Sequence, residues 1–387
     1  MLWLVLDIGL RFLPADWLEL RPVLAAVRLP SPHGPFAPNL RIYAEHFTGE
    51  AALEANIPTR ENRPPIHFST DSRGFRLNPY APEGKPPEVL VWRGASFTYG
   101  ASLSDQETLP AQLTKFTGLS ALNAGRFFLD PDGLPELDWL LNELPSKPST
   151  VVYVHLEHAQ VGGVGQRANG KFLGTDLPDP RQSLQLRYAS RVAGTWERMS
   201  PFEILFTRAF KSVSNDRILP NPYRRNVQPM HLPDGTDLLM RNYEMQSAAR
   251  QRNASEIRET GDQLVAMTQE LRRRGMDVLV LLLPSRQTLY SPWLRESGGL
   301  EAPAHDYLNS LEHTLASTDI AVVNGLDVLR QDMETQISSG DLSFYRDDNH
   351  WNPKGVRRVA TAVAAALESR ALEVSAVLPE PGSGSSN

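Results

Sequence analysis

Apolar residues recur along this chain in two alternating rhythms. Val89–Trp92, Ala121–Asn123, Val151–Val154, Met276–Leu283 and Ile320–Val323 are short, mostly apolar runs of the kind that form buried strands. Met276–Leu283 is the most apolar of them and ends at Pro284, as expected of a parallel strand covered on both faces. Between the runs the spacing shifts to helical. Pro135–Leu144 reads as one helix. Glu244–Arg274 reads as a longer one, with Ile257, Leu264 and Leu271 on one stripe and Gly275 as its stop. Leu308, Leu311 and Leu315 mark a helix over Pro303–Ser317. A last helix opens at Asn352-Pro353, a cap residue followed by proline in the first position, with Val356, Val359, Val363 and Leu367 as its apolar stripe. Ser104 with Glu107 has the spacing of a capping box opening a further helix. Strands alternating with helices predict an α/β domain with a parallel sheet covered by helices on both faces, spanning 88–375.

Two stretches break the rhythm. Residues 1–87 hold 13 of the 31 prolines, which predicts an N-terminal extension that is mostly extended loop with a few short strands from Leu29 to Pro87. From Gly162 to about Tyr243 no period is sustained, and this stretch reads as an inserted subdomain or lid. Gly162-Gly163-Val164-Gly165 mimics part of a dinucleotide fingerprint but leads into no helix, so it reads as a loop. Trp196, Phe202, Phe206 and Phe210 give the insertion either a small core or an aromatic wall. The Gly/Ser-rich end, 376–387, reads as a disordered tail.

Composition narrows the function classes. The 387 residues are 22% charged and 41% hydrophobic, a balance that supports a sizeable core. A net charge of −6 leaves no basic footprint for nucleic acid. The absence of cysteine excludes thiolate catalysis, thiolate metal sites and disulfides. No window reaches the roughly 18 apolar residues that span a bilayer. The apolar start Met1–Leu6 reads either as a buried helix turn or as the end of a signal-anchor.

Three loops at predicted strand ends carry chemistry, and strand ends are where open α/β sheets bind ligands. Arg93-Gly94-Ala95-Ser96-Phe97-Thr98-Tyr99-Gly100 would hold a serine hydroxyl outward at a tight strand-to-helix turn. Asp347-Asp348-Asn349-His350-Trp351 sets a carboxylate near a histidine just before a capped helix, so that one ring nitrogen is oriented and the other faces outward. Asn123-Ala124-Gly125 offers a backbone N–H.

Together, Ser72-Arg73-Gly74-Phe75-Arg76, Gly94-x-Ser96-Phe97-Thr98-Tyr99-Gly100, Asn123-Ala124-Gly125 and Asp348-x-His350-Trp351-Asn352-Pro353-x-Gly355 resemble the SGNH/GDSL hydrolase superfamily. Leu283-Pro284-Ser285-Arg286 followed by Tyr290 is similar to the SGNH hydrolase-like proteins of alginate and exopolysaccharide O-acetylation. The resemblance implies a three-layer α/β/α SGNH-hydrolase-like fold. It implies Ser96 as nucleophile, His350 as base and Asp348 as its orienter, with Asp347 the rival orienter. The N–H groups of Ser96 and Gly125 would form the oxyanion hole. No cofactor or metal is implied. The expected activity is acyl transfer on O-acetyl groups of a cell-envelope or exported polysaccharide. Its partners would be a polysaccharide or oligosaccharide acceptor and an acyl donor or partner acyltransferase, at the periplasmic or outer face of the cytoplasmic membrane. A plain carboxylester hydrolase, a non-catalytic assembly protein of polysaccharide export, and a cytoplasmic location are the alternatives. Two departures stand out: Ala95 replaces the family's Asp, and His155-Leu156-Glu157-His158 replaces the Asn that supplies a further oxyanion donor. Loss of such a donor costs about 10²–10³ in turnover unless His155 or His158 substitutes.

Overall fold

Strand β1 (Arg41–Ala44) pairs antiparallel with β2 (Ile66–Ser69), and the connection between them carries the short helix Glu50–Ala55. The main sheet follows: β3 (Val89–Arg93), β4 (Ala121–Ala124), β5 (Thr150–Leu156), then β8 (Asp277–Leu283) and β9 (Ala321–Asn324), after an antiparallel hairpin of β6 (Val227–His231) and β7 (Asp237–Arg241). This computed structural model describes residues 35–36, 38–45, 49–55, 61, 63–125, 134–157, 227–241, 253–294 and 307–377. The apolar start Met1–Leu6, the Gly162–Gly165 loop, Trp196, Phe202, Phe206, Phe210, His158 and the Gly/Ser tail lie outside the described residues.

The five strands run parallel in the order β4-β3-β5-β8-β9. Val278 to Leu282 are each 0% exposed, which explains why β8 reads as an unbroken apolar run rather than an alternating one. Helix Pro353–Val377 packs along Leu109–Thr117, and Ala254–Arg273 packs along Tyr307–Ala316. Right-handed crossovers put these two pairs on opposite faces of the sheet. Because the chain steps from β3 outward to β4 and then back past it to β5, the order reverses at β3. The carboxyl end of β3 is therefore the switch point at which such sheets bind ligands.

Two expectations are corrected. The capping box of Ser104 and Glu107 forms, but it opens only the 3₁₀ turn Asp105–Glu107. Thr108 is extended at φ −67, ψ 153, and the α-helix starts at Leu109 with Pro110 in its first turn. The stretch expected to lack a pattern up to Tyr243 contains the regular β6–β7 hairpin, turned by Asp234-Gly235 with Gly235 at φ +82. Its Met230, Leu232, Leu238 and Met240 join the main core. Two short helices, Gly325–Arg330 and Met333–Ser338, fill the path from β9 to the histidine loop. Among the described residues no helix is long and apolar enough to cross a membrane.

Candidate active site

The turn after β3 is built from three consecutive left-handed residues, Arg93 (φ +69), Gly94 (φ +72) and Ala95 (φ +43). Left-handed backbone is costly for residues with a Cβ, so this is stored strain of the kind that clusters at functional turns. At Gly94 a Cβ would also meet Val154 Cγ1 at 2.6 Å, so glycine is required for space as well as for φ. The turn sends the chain directly into helix Ala95–Tyr99, which buries Phe97, Thr98 and Tyr99 and leaves Ser96 half-buried at its start.

Beneath that helix lies Arg76, the last residue of the Ser72–Arg76 motif. Its guanidinium bonds Asp105 Oδ1 (2.8 Å), the carbonyls of Tyr99 (2.9 Å) and Gly100 (2.6 Å), and those of Leu103 and His67. It also stacks 4.1 Å from the Phe68 ring centroid. The motif thus has a mechanical meaning: its arginine satisfies the carbonyls that the Ser96 turn leaves behind. Burial draws the Arg76 pKa down, and Asp105 opposes that shift.

The histidine lies on a tight loop closed by the Phe344–Trp351 bridge and by the Tyr345 N–H donating to His350 O (3.2 Å). Asn352 Oδ1 accepts from Lys354 N (3.0 Å) and Gly355 N (3.1 Å), starting the Pro353 helix. The Leu283–Tyr290 motif braces the loop from the other side. Arg286 donates to the carbonyls of Tyr345 (2.9 Å), Arg346 (3.3 Å) and Leu239. Tyr290 Oη accepts from Ser343 N (3.1 Å), and burial pushes the Tyr290 phenol up to about 12.

His350 Nδ1 lies 2.6 Å from Asp348 Oδ1, which also accepts the His350 N–H at 3.1 Å. A carboxylate only accepts, so Nδ1 carries the proton and Nε2 presents a lone pair. Nε2 is buried and has no hydrogen-bond partner, so the Ser96 hydroxyl does not bond it in this rotamer. Several contacts join the loops: Trp351 Nε1 donates to Phe97 O (3.2 Å), and the Phe97 ring lies 5.3 Å from that of His350 and 5.7 Å from that of Trp351. Serine turn and histidine loop are neighbours at the switch point.

The remaining residues singled out from sequence fall elsewhere. Asp347 pairs with Arg63, while the carboxylate bonded to His350 is that of Asp348. The Gly125 N–H, expected to face an oxyanion, donates instead to Asn123 Oδ1 (3.1 Å), whose amide donates to Thr98 O (3.1 Å). His155 is buried with Nε2 3.2 Å from Tyr307 Oη. Glu50, Asp348 and His350 bring ligand atoms within 4.8 Å of one another. Arg241 on the Glu50 carboxylate (3.1 Å) and Arg63 beside Asp348 (3.9 Å) already supply the positive charge a metal would bring. Sequence reasoning missed Glu50, Glu61, Arg63 and Ser102. Glu50 opens a short helix and the other three sit in loops without periodicity, and their partners are far away in the chain.

Parallel sheet, strained serine turn and Asp-x-His loop together make an α/β protein with a candidate serine–histidine–aspartate site at its switch point. Residues 239–380 match the family model of the SGNH hydrolase-like domain of acetyltransferase AlgX, a segment that carries Asp348 and His350 but not the Ser96 turn. Among solved structures, a protein described as lipolytic of the G-D-S-L family from Desulfitobacterium hafniense DCB-2 aligns at 11% identity over 72% of this chain and 98% of its own, with a TM-score of 0.32. A mutant of esterase AlinE4 aligns at 14% identity over 77% of this chain and 100% of its own, with a TM-score of 0.31. No curated protein sequence matches the chain.

Proposed function

We propose that the protein is a serine-dependent acyltransferase or esterase acting on O-acetyl groups of a cell-envelope or exported polysaccharide. Ser96 Oγ attacks the ester carbonyl, His350 Nε2 takes its proton and passes it to the alcohol oxygen as the ester C–O bond breaks, and Asp348 holds the imidazole in the tautomer that allows this. The acyl group then passes from Ser96 to water or to a sugar hydroxyl, with His350 activating that acceptor. The N–H groups of Ser96 and Gly125 are the proposed oxyanion donors, and Gly125 must first release Asn123. The observation that carries the reading is the 2.6 Å Asp348–His350 bond with an unpartnered Nε2 beside the Ser96 turn. The match of residues 239–380 to an acetyltransferase domain supports acetyl as the acyl group and a place in the cell envelope. A polysaccharide or oligosaccharide acceptor, and an acyl donor or partner acyltransferase, complete the proposal.

A second reading, an assembly or binding protein that keeps the fold without the chemistry, is favoured by one observation: the Gly125 N–H is already bonded to Asn123. Purified protein given an acetyl ester, with and without an oligosaccharide acceptor, separates the outcomes. Acetylated sugar that depends on Ser96 marks a transferase. Free acetate alone marks an esterase. No product, with Ser96→Ala identical to the parent, leaves the assembly reading.

A further inference from the structure

The proline-rich stretch before β2 reaches across the fold into the histidine loop. Gly49 packs so closely that a Cβ there would overlap both the carbonyl and the carboxylate of Asp347. The N–H groups of Ala51 and Ala52 donate to Asp347 O at 3.1 and 3.3 Å, and that of Glu50 to Asp348 Oδ2 at 3.2 Å. Ser102 Oγ donates to the same Asp348 oxygen at 3.2 Å. Glu61 Oε1 accepts from Arg346 N at 2.8 Å. At the centre is Arg63, its side chain only 4% exposed. The guanidinium stacks 4.0 Å from the Tyr345 ring centroid, pairs with Asp347, lies 3.3 Å from Glu61, and puts Nη1 3.9 Å from Asp348 Oδ2.

Asp347 and Asp348 are adjacent in sequence and each 0% exposed. Two neighbouring buried carboxylates cannot both stay ionised without a counter-charge, because each raises the other's affinity for a proton. A proton taken up by Asp348 would weaken the one bond that orients His350. We propose that Arg63 is a positioning residue for the Asp348–His350 pair: its charge, set between Asp347 and Asp348, offsets the repulsion between the two buried carboxylates, so that Asp348 keeps accepting from Nδ1. Asp347, the rival orienter by spacing, is then the anchor of that arginine. The inference rests on the proposed roles of Asp348 and His350. Arg63 does not touch reacting atoms; it acts through Asp348.

Charge logic gives a signature that packing does not. Arg63→Met leaves two buried carboxylates uncompensated. Adding Asp347→Asn removes the repulsion and should restore what Arg63→Met took away, whereas two independent packing losses would add. The readout is the far-downfield proton resonance of His350 Nδ1–H in the full chain, assigned by its loss in His350→Gln. The expected result is loss of the resonance in Arg63→Met, retention in Arg63→Lys, and recovery in Arg63→Met/Asp347→Asn. Turnover of an acetyl ester should follow the same order, with kcat reduced on the order of tenfold or more in Arg63→Met and KM unchanged. If Arg63→Met fails to fold, the double variant decides: a folded chain with the resonance present supports the proposal. A resonance that persists in folded Arg63→Met, or is absent from the folded double variant, overturns it. An inactive parent would sink the proposed function while leaving the resonance to decide the role of Arg63.

Discussion

At the scale of single residues the structure separates two aspartates that lie side by side. Asp348 bonds His350 Nδ1 and Asp347 pairs with Arg63, so their substitutions should have unequal effects. Asp348→Asn places an amide where only an acceptor serves and favours the wrong tautomer; kcat should fall by about 10⁴ with KM little changed, as steady-state kinetics on an acetyl ester would show. Asp347→Asn should cost far less in kcat. At Gly94 an alanine meets Val154 and an unfavourable φ together, so Gly94→Ala should destabilise by about 2–5 kcal/mol in a urea titration. The serine turn and the Asp-x-His pair were legible in the sequence because their geometry is local: glycine in a turn, and a carboxylate two residues from a histidine. Arg63 and Ser102 were not, since they meet Asp347 and Asp348 across separations of 284 and 246 residues.

Among the elements, two loops carry the site and each has its own buried arginine. Arg76 braces the serine turn and Arg286 the histidine loop. Replacing Arg76 by Met strands Asp105 as a buried unpaired charge and should cost about 3–5 kcal/mol. Lysine should rescue little at either position, because one ammonium cannot replace a planar fork spread over several carbonyls. Chemical denaturation of Arg76→Met, Arg76→Lys and Arg286→Lys checks both statements. Glu61 supplies a pH-dependent test. Burial raises its carboxyl above the ordinary glutamate value, with Arg63 opposing, so the folded state binds a proton more tightly than the unfolded chain. The parent should therefore gain stability relative to Glu61→Gln as pH falls through that raised value, with the gain complete below the unfolded value of about 4.3. A difference between their urea midpoints that is flat from neutral to acid pH would contradict it. The alternating strands and helices of the sheet were readable because buried parallel strands and helix stripes have distinct periods. The hairpin of β6 and β7 was not: Pro229 interrupts its first strand, and its burial comes from elements distant in sequence.

Across the whole molecule, the described part of the N-terminal stretch, from residue 35 on, packs against the parallel-sheet domain. Phe36 and Phe68 pack edge-on at 5.1 Å, and Phe36 meets Tyr99 of the serine helix at 5.4 Å. Arg63 and Arg76 come from the same stretch. A chain beginning at Glu88 would keep all five parallel strands yet leave Asp105, Asp347 and Asp348 buried without their arginines. It should not unfold as one cooperative unit, which circular dichroism through a thermal ramp would show. The matched segment 239–380 likewise carries the histidine loop but neither the serine turn nor Arg63, so the proposed chemistry would depend on joining parts that this segment alone does not contain. That joining is the central claim, and covalent labelling tests it most directly. A fluorophosphonate should form one adduct, mapped by mass spectrometry to Ser96, and the labelling rate should fall by about 10³ or more in His350→Gln and in Asp348→Asn. An adduct on another residue, no adduct on the folded parent, or equal labelling of Ser96 in His350→Gln would contradict the account.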